Sequence, residues 1–526
     1  MNVAQDPAGE LLARAERHAS RREFERAIAC YEEALGHRGE DAMILVQLSY
    51  MHSLAGRYRV ARDLALRANA TGTTSPDVLI ELLPRLRTFN AIPELLACIE
   101  RLLPMSRMPI PLLLHVAAQL SYLNLPERAI GFLDEARRAD PDYPPTLLAR
   151  TQVLIYLGRF DEASVDVARV LRRAPELAKG HWLQAALGRP PGQIRHAEAI
   201  RDQIAQPGRS PSDVALLAFA LHKTLDDLGR HGPAWDALML GCRAKRATLD
   251  YTPADTARLF EALVAHAPRM SGRTPPDVGT ERTPIFIVGM HRSGTTLLEQ
   301  LLDGSPQVRG IGEMYDFTSA MRDATDHHCR GVIDTTLVQR AAGLDMRQVG
   351  QRYLASLQWR LGKEAFFTDK LPSNFLNVGF ICAALPHARI LHMVRDPMET
   401  CFSNLRELFS EANAYSYDLT ELADYHAHYR RLMAHWHACW PGRILDVDYG
   451  ALTREPERIL REVCAFVGIT FESQMLGMTN RQRAVVTASA IQVRDRIQLR
   501  DTPKWMPYAA QLAPLRARLQ AAGAVR

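Results

Sequence analysis

The sequence contains no run of 18 apolar residues, and a hydrophobic membrane-spanning helix needs about that many. Its first twenty residues, MNVAQDPAGELLARAERHAS, lack the apolar core of a secretory signal. The expectation is a cytoplasmic protein with no transmembrane segment. Net charge is also scarce. Sixty-four Lys and Arg face 59 Asp and Glu, giving +5 on 526 residues. That argues against a nucleic-acid partner bound by phosphate neutralisation and leaves room only for a local basic pocket. The eight cysteines (Cys30, Cys98, Cys242, Cys329, Cys382, Cys401, Cys439 and Cys464) are scattered. None forms C-x-x-C or a Cys/His metal spacing, so neither a disulfide framework nor a zinc site is expected. His327-His328 and the histidines of HAHYRRLMAHWHACW (His426, His428, His435, His437) offer no evident third ligand, and amphipathic packing is their expected role. The expectation is therefore no metal. The length exceeds one ordinary core, so two or more domains are expected.

What the first half does have is a period. Ala27 and Ala61 stand 34 residues apart, as do Ala129, Ala163 and Ala197, with Leu95 in the slot between Ala61 and Ala129. Seven residues after each come Ala34, Ala68, Leu102, Ala136, Val170 and Ile204. Five residues before Ala61, Ala129 and Ala163 lie Gly56, Asn124 and Gly158, residue types that suit a left-handed turn between helices. Pro141 and Pro175 suit the start of a next helix. This helix–turn–helix unit resembles the tetratricopeptide repeat. Six units share one register, degenerate near Leu95 and Ala197. A seventh, around Gly229 and Ala234, follows a three-residue insertion. The resemblance implies an α-helical solenoid over residues 8–245 whose concave face binds a peptide or protein, or serves for dimerisation or spacing. Residues 246–282 read as a connecting helix and a Gly-, Pro- and Thr-rich linker, with the boundary near 275.

From residue 283 to 526 apolar runs alternate with helical stretches, which predicts an α/β domain with a parallel sheet. Its first run, Ile285-Phe286-Ile287-Val288, suits a buried strand. Gly289-Met290-His291-Arg292-Ser293-Gly294-Thr295-Thr296 follows. Then Leu297, Leu298, Leu301 and Leu302 mark one face of a helix. Strand, glycine-bounded loop and helix make a P-loop-type anion cradle. The lysine of a nucleotide-triphosphate loop is replaced here by Thr295, which disfavours ATP. Further on, strands are expected at Phe366–Lys370, Ala388–Arg395 and Arg443–Tyr449. Helices are expected at 375–385 and from Glu399 to Phe409, the latter carrying Ser403.

The loop resembles the 5′-phosphosulfate loop of sulfotransferases, which use 3′-phosphoadenylyl sulfate (PAPS). Val394-Arg395-Asp396 with Ser403 resembles the family's 3′-phosphate signature, and Val447-Asp448-Tyr449 its adenosine-side segment, with Gly450 in place of an acidic residue. Thr487-Ala488-Ser489-Ala490-Ile491-Gln492-Val493 followed by Lys504-Trp505 resembles the lid of tyrosylprotein and tetratricopeptide-linked sulfotransferases, although Asp495-Arg496 departs from it. The resemblance implies that Arg292, Ser293, Gly294, Thr295, Thr296, Arg395, Ser403, Tyr449, Ser489, Gln492 and Lys504 hold PAPS. It also implies Glu313 as the base, 21 residues after Arg292, and Arg292 and Lys370 as the charges that stabilise transfer, without a metal. His291 is the rival base. The expected activity is sulfuryl transfer to a hydroxyl of a peptide tyrosine, a glycan or a small phenol or alcohol, with the repeats binding acceptor or partner, in a possible homodimer. A nucleotide-binding scaffold without catalysis and a P-loop kinase are the alternatives.

Overall fold

The structure is a computed structural model; it describes residues 6–188, 192–266, 282–477, 486–487 and 502–525. The chain forms two compact units, Met1–Ala139 with Tyr315–Arg360, and Asp140–Met314 with Leu361–Arg526.

The first unit opens with paired helices, from Pro7–Ser20 and Phe24–Arg38 through Ile110–Tyr122 and Pro126–Ala139. The period has a plain physical basis. Ala27, Ala61, Leu95 and Ala129 are all fully buried where paired helices approach. The turn five residues earlier is left-handed each time: Arg22 (φ 60°), Gly56 (79°), Asn90 (55°) and Asn124 (55°). Tyr315–Arg360, which carries no repeat register, belongs to this unit as the helices Asp316–Thr325, Thr335–Arg340 and Met346–Ser356. Polar groups anchor it. The Arg59 backbone N–H donates to Asp326 Oδ1 at 2.8 Å, and Asn90 Nδ2 donates to Asp316 Oδ1 at 2.7 Å. Asp316 is enclosed, and burial raises its carboxyl pKa despite hydrogen bonds from Ser356 and Asn90.

The second unit continues the pattern of paired helices. Gly158 (φ 75°) and Gly192 (83°) keep the 34-residue interval, and Gly229 (71°) follows the insertion. A further helix, Pro253–His266, stacks Phe260 against Phe375 and Tyr425. The five-stranded parallel sheet has the order β2-β3-β1-β4-β5, with β1 Thr283–Val288, β2 Val308–Gly310, β3 Phe366–Asp369, β4 Arg389–Val394 and β5 Ile444–Asp448. Every residue of β1 after Thr283 is buried, as a central parallel strand requires. One face packs Ile285 and Ile287 with Leu298, Leu301, Leu302, Leu460 and Val463. Each such leucine contributes roughly 2 kcal/mol.

The fold is thus a run of paired helices followed by a parallel α/β domain, as the sequence implies. Local bounds differ. The stretch expected as a helix over 375–385 is a 3₁₀ turn, Pro372–Asn377, followed by a helix, Val378–Ala384. The helix expected from Glu399 to Phe409 runs Pro397–Leu405, because Asp396 caps it by accepting from the Glu399 N–H at 2.9 Å. Among the described residues no helix is long and apolar enough to cross a membrane.

Candidate functional site

The site lies at the C-terminal ends of the parallel strands, where an open α/β sheet leaves a crevice. After β1 the chain turns at Gly289 (φ 148°), and a Cβ there would lie 2.8 Å from the Met393 carbonyl oxygen. Gly294 (φ 108°) ends the loop, and a Cβ on it would lie 2.4 Å from Tyr449 Cδ2. Only glycine lets the Tyr449 ring close on the loop in this way. The helix Thr295–Leu302 begins at once, so its first N–H groups have no carbonyl four residues back. Ser293 Oγ is buried with no hydrogen-bond partner among the described residues. A glycine-lined turn, a helix start and an orphaned hydroxyl fit a phosphate-type anion.

Arg292 joins this loop to the next motif. It stands at φ 66°, unusual for a non-glycine residue. Its buried guanidinium donates from Nε to Ser403 Oγ at 3.4 Å and lies 3.5 Å from Glu407. Burial raises the Glu407 carboxyl, against the pull of Arg292 and Arg406. The Arg292 carbonyl accepts from Arg395 Nη1 at 3.0 Å. Arg395 sits 4.6 Å over the Tyr449 ring, within cation–π range, and pairs with Glu399. The other oxygen of Glu399 accepts from the Lys504 backbone N–H at 2.8 Å. Asn404 Nδ2 donates to the His291 carbonyl at 2.7 Å.

A second group is built beside β3. The Gly310-Ile311-Gly312 turn is held from both sides. Glu299 Oε1 accepts from the Gly312 N–H at 2.9 Å, and the Lys370 N–H donates to the Gly312 carbonyl at 3.0 Å. The next residue, Glu313, accepts from Lys370 Nζ at 2.6 Å. Lys370 is wholly enclosed, whereas the Glu313 side chain is 32% exposed. One end of the carboxylate is therefore fixed and the residue still meets solvent. The half-buried His291 ring packs edge-on against Phe409, its Nδ1 enclosed and without a partner among the described residues. Burial lowers its pKa to about 4, with Glu313 opposing and Lys370 and Arg292 adding, so it is neutral at pH 7.

The expected residues Arg292, Ser293, Gly294, Thr295, Thr296, Arg395, Ser403 and Tyr449 thus come together, with Lys504 tied in through Glu399. Glu313 and Lys370 meet each other. Ser489, Gln492 and Asp495-Arg496 lie outside the described residues. Sequence reading missed Glu299, Glu399, Asn404 and Glu407. Glu399 alone had a signal, four residues after Arg395 on a helix. Asp448 proves to be the cap of the helix Tyr449–Arg454, accepting from the Ala451 N–H at 2.6 Å. One expectation needs correction: His437 does have a potential ligand set, since a ring nitrogen of His437, a ring nitrogen of His392 and a carboxylate oxygen of Asp446 lie within 4.8 Å of one another. These groups come from two strands and a helix, so no local spacing announces them.

Residues 284–473 match the family model described as Sulfotransferase family. An uncharacterized protein of Aquifex aeolicus is 27% identical over 74% of this chain and 52% of its own length. Protein-tyrosine sulfotransferase 1 of Danio rerio is 25% identical over 40% of this chain and 61% of its own length. The chain therefore spans only about half to three-fifths of these curated relatives. The solved sulfotransferase domain from the curacin biosynthetic pathway aligns with 44% of this chain and 98% of its own, at 17% identity and a TM-score of 0.27. The C-terminal half of the chain carries a sulfotransferase-family domain.

Proposed function

We propose that the chain is a PAPS-dependent sulfotransferase acting on a hydroxyl acceptor, with repeats to about residue 245 and a catalytic domain from about 283. The observation that carries the reading is the joining of three separate motifs. Tyr449 closes on Gly294, Arg395 bonds the Arg292 carbonyl, and Arg292 reaches Ser403. Two basic side chains with a hydroxyl beside an anion-type loop suit a nucleotide phosphorylated at both 3′ and 5′ positions. The loop from Arg292 to Thr296 would hold the 5′ side, Arg395 and Ser403 the 3′-phosphate, and Tyr449 the adenosine side. Ser489, Gln492 and Lys504 complete the proposed cofactor set.

PAPS, when bound, supplies the sulfuryl group. Glu313, anchored at one end by Lys370, would take the proton of the acceptor hydroxyl. Arg292 and Lys370 would offset the negative charge that builds during transfer. His291, neutral at pH 7, is the weaker candidate for the base. No metal is required in this scheme. The acceptor classes are peptide tyrosine, glycan and small phenol or alcohol. The repeats would bind the acceptor or a partner protein, a cytoplasmic setting suits eight free cysteines, and a homodimer is compatible with the repeats.

Isothermal titration with adenosine 3′,5′-bisphosphate tests the cofactor. Binding well above that of AMP is the expected result, and no binding, or equal binding of AMP, overturns it. A sulfate-transfer screen against the three acceptor classes then tests catalysis. Cofactor binding with no transfer to any class would leave a nucleotide-binding scaffold, and turnover of Mg-ATP would point to a kinase.

A further inference from the structure

A cluster of ligating side chains on the sheet has no part in the chemistry above. Leu391, Met393 and Val447 pack into the leucine-rich core, so the alternation of a strand turns His392 and Asp446 to the opposite face. The two are register partners on β4 and β5. The helix Leu419–Cys439 meets that face through Tyr429, whose ring packs edge-on to His392 at 5.5 Å. Near its end the same helix brings His437 to the pair. His392 Nδ1 and His437 Nε2 each lie 2.8 Å from Asp446 Oδ1. His392 is 5% exposed, whereas the side chains of His437 and Asp446 are 39% and 53% exposed. The cluster is therefore rooted in the domain on one side and open to water on the other.

Two imidazole nitrogens and one carboxylate oxygen are a donor set for a zinc-type cation. Magnesium and calcium call for oxygen throughout. Three protein ligands leave one position for water on the open side. Metal–ligand bonds of about 2.0–2.2 Å at tetrahedral angles set ligand atoms about 3.4 Å apart, so each nitrogen–oxygen pair opens by roughly 0.6 Å. The partly exposed His437 and Asp446 can turn by that much while His392 stays in place. The other ring nitrogen of His392, Nε2, meets the Tyr429 hydroxyl. A hydroxyl both donates and accepts. When a cation takes Nδ1 and the ring proton sits on Nε2, Tyr429 accepts from it. A hydrogen-bond partner on the far nitrogen is what fixes the ring of a metal-bound histidine. Without a cation the same atoms form two ring N–H bonds to one carboxylate oxygen, which is the competing use of the cluster.

We propose that His392 Nδ1, His437 Nε2 and Asp446 Oδ1 bind one divalent transition-metal cation of the zinc type, which ties the end of the helix Leu419–Cys439 to strands β4 and β5. The site is independent of the sulfuryl-transfer reading, and no step of that chemistry passes through it.

The test titrates the chelator-stripped full chain with zinc under reducing conditions. Asp446→Ala and His437→Ala each remove a ligand at a partly exposed position. Tyr429→Phe keeps the ring and removes only the partner of Nε2. Cys439→Ser is the control, since Cys439 Sγ lies 3.3 Å from His435 Nε2 one turn earlier and is the competing soft pair. The expected result is one equivalent of zinc bound by the wild type with a Kd of about 1 µM or tighter. Affinity falls more than about 100-fold in Asp446→Ala and in His437→Ala, about tenfold in Tyr429→Phe, and within about threefold in Cys439→Ser. Excess zinc raises the urea midpoint of the wild type and leaves that of Asp446→Ala in place. A wild-type chain that binds no stoichiometric zinc overturns the proposal and leaves a hydrogen-bonded cluster. Affinity retained in either Asp446→Ala or His437→Ala overturns the three-ligand site, and loss in Cys439→Ser alone moves the metal to His435 and Cys439.

Discussion

Glu313→Gln separates the chemistry of this carboxylate from its packing. Glu313 Oε1 accepts from Lys370 Nζ at 2.6 Å, and Lys370 is wholly enclosed. Glutamine keeps an oxygen that can occupy the same position, so Lys370 retains a neutral acceptor and stability falls by about 1 kcal/mol. Glu313→Ala removes the acceptor altogether. A buried ammonium left without it costs up to about 3 kcal/mol, reduced to about 2 because Glu313 meets solvent and water can enter. Turnover follows a different rule. A positioned base contributes about 10²–10⁴-fold, or about 3–5 kcal/mol of barrier, and both variants lose all of it. Affinity for adenosine 3′,5′-bisphosphate stays within about threefold, since the carboxylate acts on the acceptor and not on the nucleotide. Urea unfolding, isothermal titration and radiolabelled sulfate transfer measure the three quantities. The reasoning predicts that the two variants split in stability and coincide in turnover. Glu313→Gln turning over within about tenfold of wild type refutes Glu313 as the base.

Gly294→Ala puts a Cβ 2.4 Å from the Tyr449 ring at a positive φ, so bisphosphate affinity falls at least about tenfold by titration; wild-type affinity would mean that the ring does not close there. Asn90→Ala leaves the enclosed Asp316 with one hydrogen bond fewer and lowers stability by about 1–3 kcal/mol in urea, and an unchanged midpoint would refute the anchoring of the 315–360 segment. His222 is depressed to about 4, first by burial and then by Arg406, although the Ala234 carbonyl and Asp226 oppose. Its folded pKa lies below the unfolded value, so its contribution to stability is complete above pH 6.5 and is lost as pH falls from there towards 4. The loss is about 2 kcal/mol by pH 5, and His222→Gln removes it from the difference between urea midpoints at pH 7 and pH 5.

The parts that could be read in the sequence are those where local geometry restricts residue type. Paired helices need small side chains at contact and a left-handed turn, hence the alanines, Gly56, Asn124 and Gly158. Gly192 keeps the same turn where the contact residues are degenerate, and Arg22 keeps it without glycine or asparagine. Strands β1, β3, β4 and β5 announce themselves as apolar runs; β2, three residues long, is too short to carry a pattern. Tyr315–Arg360 gave no signal of its place. Its anchors pair Asp316 with Asn90 and Asp326 with Arg59, more than two hundred residues away, and partner choice at that range is tertiary. The same limit hid Glu407 behind Arg292, its distant partner in sequence. Arg292 shows why both kinds of information are needed. Its left-handed backbone costs about 1 kcal/mol or more relative to glycine. Glycine could make the turn, but it could not reach Ser403 and Glu407 while its carbonyl faces Arg395. The sequence shows an arginine where turn chemistry alone would favour glycine, and the structure supplies the three contacts that offset the strain.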